Sequence, residues 1–214
     1  MIETVIFGFL WYQFIALFGL SIGLHRYFCH RQFRVSKTYE TFCLFLAMLA
    51  GSRSPLGWIG LHRIHHRYAD TKDDPHSPDI KGFWNIVFNN WTYKSIPRIY
   101  LKDLLRNPRV MFFHKHWKKL HISLAILTFI ISVKLFIIFI VFPFVLGNIG
   151  YGLFNALGHK EHKPVTNMFI NLLSAGEGYH DVHHNNPRKI RLNKFDLAGW
   201  VIERFFDVKK TRAT

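Results

Sequence analysis

Two histidine triplets share one spacing in this chain of 214 residues, His62-x-x-His65-His66 and His180-x-x-His183-His184. A third cluster, His25 and His30, directly follows an apolar run. Together the three clusters hold eight of the fourteen histidines. Neutral imidazole is the commonest side-chain metal ligand. On a helix, positions i, i+3 and i+4 share a face, so each triplet is predicted to aim three imidazoles one way. Two triplets and a pair supply more nitrogen than one tetrahedral zinc can use. The pattern therefore implies a two-metal site, and imidazole suits iron as well as zinc or copper. His25 and His30, five apart, share a face only where a helix ends or widens, as at a π-bulge.

Other polar residues stand at the edges of apolar segments. His159 ends the last long apolar run, with Asn155 one turn earlier on the same face. A polar pair at such a boundary is a functional candidate. His162 lies close by, and spacing alone does not choose between it and His159. His76, in Asp73-Asp74-Pro75-His76, reads as part of a structural turn. His114, His116 and His121 lie among Lys115, Lys118 and Lys119 and read as a basic collar at a membrane surface.

Missing motifs narrow the chemistry. Carboxylate-bridged di-iron bundles use two Glu-x-x-His motifs and two further Glu, and this chain has a single one, Glu177-Gly178-Tyr179-His180, which sets it apart from them. No His-Glu-x-x-His is present, which argues against a zinc protease. No Gly-rich phosphate loop appears. The formal charge is +15, from 28 Lys+Arg against 13 Asp+Glu. Without a nucleic-acid-binding motif that charge does not indicate nucleic acid. The basic residues crowd the segments between apolar runs, as expected beside a membrane. Cys29 and Cys43 form no C-x-x-C pattern and no disulfide framework.

The elements that must position the histidines follow from hydropathy. Residues 4–24 carry no charge and are long enough to span a bilayer. Met1-Ile2-Glu3 provides no basic n-region, so a cleaved signal peptide is not expected. Residues 38–51 are apolar but short, which predicts a re-entrant, interfacial or packed helix. His30 and His62 must reach one site, so the number of crossings between them is even. Lys134 is the only charge between His121 and His159, and residues 119–158 predict a helical hairpin with spans near 117–133 and 136–158. Pro143 is positioned to kink the second arm. Residues 61–116 and 160–214 are polar and basic and form the expected cap, ending in an amphipathic stretch at 195–202. The predicted fold is an all-α integral membrane helical bundle, one domain over 1–214. Its cytosolic helical cap carries a histidine-rich di-metal site.

The segments His25-Arg-Tyr-Phe-Cys-His30, His62-Arg-Ile-His65-His66 and His180-Asp-Val-His183-His184 resemble the three histidine boxes of membrane fatty-acyl desaturases, closest to the Δ9, stearoyl-CoA type. Flanking residues agree: Trp58 before the second box, Asp74-Pro75-His76 after it, and Gly176-Glu177-Gly178-Tyr179 leading into the third. The resemblance runs from about residue 5 to about residue 207, to a short form lacking the family's first span. It implies two iron ions held by His25, His30, His62, His65, His66, His159, His180, His183 and His184. Asn155 would hold one iron through a water, and Trp58 would line the acyl tunnel. It implies a reaction in which O₂ and two electrons convert an unactivated acyl chain to a cis-alkene and water. The substrate would be an acyl-CoA, an acyl-lipid or an acyl carrier protein adduct, in contact with membrane lipid. Cytochrome b5 or a ferredoxin would be the electron donor. Carboxylates commonly orient ligating imidazoles, and Asp70, Asp74, Glu177 and Asp181 are the candidates. Two alternatives stay open: a lipid hydroxylase or oxygenase with the same site, and a truncated, non-catalytic metal- or lipid-binding relic.

Overall fold

The computed structural model describes residues 2–208, so the last six residues of the predicted cap lie outside it. Helix α1 runs Ile2–Cys29. Its first part is α-helical to Ile15, and Ala16–Cys29 is a widened, π-type helix. At an α-helical rise of 1.5 Å per residue a helix of 28 residues is about 42 Å long, longer than a bilayer core. The predicted span ended at residue 24. The helix instead continues through His25 and carries it past the apolar run. The wide turn closes with His30 N–H on the His25 carbonyl at 3.2 Å, which brings two residues five apart onto one face.

Helix α2, Lys37–Leu49, is capped by Ser36, whose hydroxyl accepts from Tyr39 N–H at 3.1 Å. It packs tightly along α1. A Cβ on Gly19 would sit 2.8 Å from Leu46 Cβ, and one on Gly23 would sit 2.6 Å from Cys43 Cβ. Small residues four apart let two helix backbones approach closely. Cys43, Leu44, Leu46 and Met48 are buried, so the short apolar stretch is a packed helix. It runs back along α1, and the chain then turns at Gly51, with φ +74°.

Helix α3, Pro55–Tyr68, returns toward the end of α1. Ser54 caps it, accepting from Gly57 N–H at 3.2 Å, and Pro55 occupies the first turn, where its missing N–H costs nothing. The predicted cap boundary at 61 therefore falls inside this helix. Residues 69–107 hold only short helical pieces, consistent with Pro75, Pro78 and Pro97 as breaks.

Two helices cover the stretch where the hairpin is expected. Helix α4 spans Pro108–Ile131 and helix α5 spans Val133–Leu157, with the break at Ser132 rather than at Lys134. Lys134 lies in the first turn of α5 and reaches Glu3 at 3.7 Å, so these two charges meet at the end of the bundle away from the histidines. A widened turn at Ile137–Val141 precedes Pro143, a place where a missing backbone donor is readily absorbed. Among the described residues two helices, α1 and α5, are long and apolar enough to cross a membrane. The first arm of the hairpin, expected as a third, carries Lys115, Lys118 and Lys119 in its N-terminal half.

Helices α6, His180–Asn185, and α7, Leu197–Phe205, complete the cap. Short antiparallel pairs, Phe33–Arg34 with Asp207–Val208 and His159–Lys160 with Lys163–Pro164, tie it down. The main core lies between α1, α2 and α3, where Ile15, Leu24, Cys43 and Ile59 are fully buried.

Candidate metal centre

The nine histidines converge where α1, α3, α5 and α6 meet. They fall into two groups, each offering ring nitrogens within 4.8 Å of one another. One comprises His25, His30, His62, His66 and His183, and the other His65, His159, His180 and His184. The triplets do not each aim one way, as predicted from spacing. His62 and His66 serve the first group and His65 the second, while His180 and His184 serve the second and His183 the first. Neighbouring residues project about 100° apart around a helix of 3.6 residues per turn, so positions i+3 and i+4 diverge toward different centres. Each triplet thus bridges both groups.

The geometry within the groups fits metal ions. Nε2 atoms stand 3.0 Å apart in His25–His183 and His30–His62, and 2.9 Å apart in His66–His183. In the second group the spacings are 3.2 Å for His65–His184 and 3.0 Å for both His159–His180 and His180–His184. Two nitrogens about 2.1 Å from one ion and 90° apart lie about 3.0 Å from each other, whereas a tetrahedral angle spreads them to about 3.4 Å. The nitrogens of each group thus lie close enough together to share one ion.

Carboxylates hold three rings so that Nε2 presents a bare lone pair. His25 Nδ1 lies 3.1 Å from Glu177, His65 Nδ1 lies 2.9 Å from Asp74, and His159 Nδ1 lies 2.7 Å from Asp70. Such partners fix the tautomer and the ring orientation. In His65 and His159 the Nε2 lone pairs face His184 Nε2 at 3.2 Å and His180 Nε2 at 3.0 Å, positions from which each accepts an N–H or shares a cation. Asp70 adopts φ +60°, a conformation that Asp tolerates better than most residues. Burial drives His62, His65, His66, His180 and His183 well below the ordinary imidazole value, and neighbouring imidazoles add to the shift. The rings are thus neutral, as metal ligation requires. Burial opposes ionisation of Glu177, but Arg26 and His25 outweigh it and hold the carboxyl below its ordinary range.

Three of the four predicted carboxylates take these positions. Asp181, inside the third box, does not. It accepts from the Thr166 hydroxyl instead, because its place on α6 faces the neighbouring strand rather than the imidazoles. The turn at His76 is present, with Asp74 accepting from His76 N–H at 3.0 Å. Its ring, however, is 1% exposed and packs on His65 with centroids 4.3 Å apart. His162 is outside both groups and lies 3.6 Å from Asp79, so His159 is the ring that converges. His114 bonds Ser54 at 2.7 Å, beside the cap of α3 and in neither group.

Sequence reasoning missed Arg26 and Asp196. Arg26 is 1% exposed, donates to Glu177 at 2.6 Å and spans Asp196 at 2.9 Å and 3.0 Å. Asp196 also caps α7, accepting from Gly199 N–H at 2.8 Å. An arginine in the middle of an otherwise uncharged helix end was the available signal, since such a charge is buried only when paired.

An apolar cavity of about 340 Å³ opens beside the first group. His25, His62, Trp58, Tyr151 and Asn155 line it near the imidazoles, and Tyr12, Phe169 and Leu173 line it further along. Trp58 stacks on His62 with centroids 5.4 Å apart and 13° between planes. Asn155 is 2% exposed, and its amide donates to the Tyr151 carbonyl at 3.0 Å rather than to an imidazole.

Comparison with known proteins agrees with this arrangement. Residues 4–210 match the model of the family described as "Fatty acid desaturase". The chain is 29% identical over 180 residues to an sn-1 stearoyl-lipid 9-desaturase of Anabaena variabilis, covering 78% of this chain and 65% of that protein. It is 29% identical to Delta-9 acyl-lipid desaturase 2 of Arabidopsis thaliana, covering 94% and 70%. It is 30% identical to a Delta(9)-fatty-acid desaturase of Caenorhabditis elegans, covering 91% and 64%. The chain thus spans about two thirds of the length of these curated relatives. With the match running through all three histidine segments, the chain belongs to the fatty acid desaturase family.

Proposed function

We propose that this chain is a membrane acyl desaturase that uses a di-iron centre and O₂ to place a cis double bond in a fatty-acyl chain. The observation that carries the reading is the pair of imidazole groups, each with nitrogens close enough to share one ion, beside an apolar cavity. Two irons held there would supply O₂ activation and the oxidising power that cleavage of an unactivated C–H bond needs. The balanced reaction takes one saturated acyl chain, one O₂, two electrons and two protons to one alkene and two waters.

The chain's own residues bind and orient. His25, His30, His62, His66 and His183 would hold one ion, and His65, His159, His180 and His184 the other. Asn155, in the cavity wall, would reach the centre through a water. Trp58 and Tyr151 press an acyl chain against the imidazole wall and exclude bulk water. Glu177, Asp74 and Asp70 keep His25, His65 and His159 aimed inward. The substrate is an acyl chain carried on lipid or CoA, as in the names of the relatives. The cap faces the cytoplasm, because the basic residues crowd it.

Expression in a host deprived of its own desaturase, with iron and an electron donor supplied, tests the reading by mass spectrometry of total fatty acids. A new cis-monounsaturated chain is the expected result. An added hydroxyl would assign an oxygenase instead, and no new product from iron-loaded protein would overturn the proposal.

A further inference from the structure

His76 and Trp91 carry buried polar atoms that the protein itself does not satisfy. His76 is 1% exposed, and among the described residues neither of its ring nitrogens has a hydrogen-bond partner. The indole N–H of Trp91 is buried and unpartnered as well. The two rings stand with centroids 5.5 Å apart. Buried polar groups are nearly always paired, so three unpaired atoms in one place call for a polar ligand.

What these atoms offer defines what they take. A neutral imidazole presents one N–H, and an indole presents another. A carbonyl oxygen has two lone pairs and accepts both. Trp91 and Tyr151 line the cavity beside the five-histidine group. A series of rings leads from one place to the other. His76 lies 6.2 Å from Tyr151, Tyr151 lies 5.8 Å from Trp58, and Trp58 lies 5.4 Å from His62, all between centroids. An acyl chain laid along these rings brings one polar group at its head end, the carbonyl of its ester or thioester.

The loop that carries His76 also aims the imidazoles. Asp74 accepts from His76 N–H at 3.0 Å and from Asp70 N–H at 2.8 Å, and the Ser77 hydroxyl donates to Asp70 at 3.2 Å. The same two carboxylates hold His65 and His159. His76 is therefore fixed against the four-histidine group by hydrogen bonds within one short loop.

Resting on the desaturase reading, we propose that His76 and Trp91 anchor the acyl carbonyl and thereby set which carbons of the chain lie beside the imidazoles. A flexible hydrocarbon slides in an apolar slot, because one methylene packs as well as the next. Fixing its polar end removes that freedom and leaves one register. The anchor reads the carbonyl, which an acyl-lipid and an acyl-CoA share.

The test has a binding arm and a product arm. In the first, the iron-loaded full chain in detergent takes methyl stearate labelled with carbon-13 at the carbonyl, and infrared difference spectra are recorded. The parent is expected to move the labelled C=O stretch to lower wavenumber. Trp91→Phe, which removes the N–H and keeps a ring, should lose part of that shift and bind the probe roughly 2- to 10-fold more weakly. Displacement of the probe by stearoyl-CoA or by distearoyl phosphatidylcholine names the carrier. An unshifted stretch in the parent overturns the anchor and leaves the unpaired atoms to bound water only. In the second arm, expression in a desaturase-deficient host is followed by mass spectrometry of dimethyl disulfide adducts, which reads the double-bond position. The parent should give one position. Trp91→Phe and His76→Phe, at the parent's iron content, should each move about a tenth or more of the double bonds to neighbouring carbons, whereas Trp84→Phe, on the exposed side of the same segment, should not. A purely structural role lowers yield and leaves the position alone, so an unchanged single position in both variants also overturns the anchor. Absence of product from the parent counts against the desaturase reading, while the infrared shift still decides the anchor.

Discussion

Arg26 donates through Nε to Glu177 at 2.6 Å, and that carboxylate also partners Nδ1 of His25 at 3.1 Å. One buried cation thereby keeps the carboxylate charged where it aims a ring of the five-histidine group. Its other edge meets Asp196, so the start of α7 is tied to the same ring through two ion pairs.

Replacement Glu177→Gln should weaken metal at the five-histidine group by roughly 10- to 100-fold, the usual cost of losing such an orienting partner. At limiting iron, the metal content measured by plasma mass spectrometry should fall from two ions per chain toward one. Equal loss from both groups would show that Glu177 does not act through His25 alone.

Asp70→Asn is the mirror experiment. Asp70 contacts His159, which lies in the four-histidine group. The variant should lose the other ion by a similar factor. The double variant Asp70→Asn/Glu177→Gln should retain little metal at the same iron concentration. A Mössbauer spectrum of each single variant should lose a different component, and identical spectra would contradict separate sites.

The metal-free protein should lose stability in acid. Burial lowers His76 from 6.5 to about 3, and burial and His159 lower His184 to about 3. Below pH 6.5 the unfolded chain binds protons that these folded rings refuse, so stability falls as pH drops from 6.5 toward 3. Each fully buried ring contributes a slope of about 1.4 kcal/mol per pH unit in that window. Thermal melts of apoprotein between pH 7.5 and 5 should show the decline. A flat profile would mean that the rings are more accessible to protons than their packing indicates.

Gly152 lies where α5 meets the segment Phe83–Val87, and an added Cβ would stand 2.0 Å from the Val87 carbonyl oxygen. Backbone cannot yield as a flexible side chain does. Gly152→Ala should therefore cost about 1–3 kcal/mol and lower the melting temperature in detergent. An unchanged melt would mean that the two segments separate readily.

The histidine spacing, the apolar runs and the capping residues could all be read from the chain itself. Local rules govern them: a span needs length and hydropathy, a helix start needs Ser54-Pro55, and a ligand needs an imidazole at a boundary. The widened turn between His25 and His30 was also within reach, because five-residue spacing fits little else. The division of each triplet between two centres was not, since it depends on what stands opposite each helix face. The same is true of Arg26 bridging Glu177 and Asp196, residues more than 150 positions away. It is true of Asp181, which carries the right chemistry and points elsewhere. Pairings between distant segments arise from packing, and packing sums contacts that no local window of residues contains.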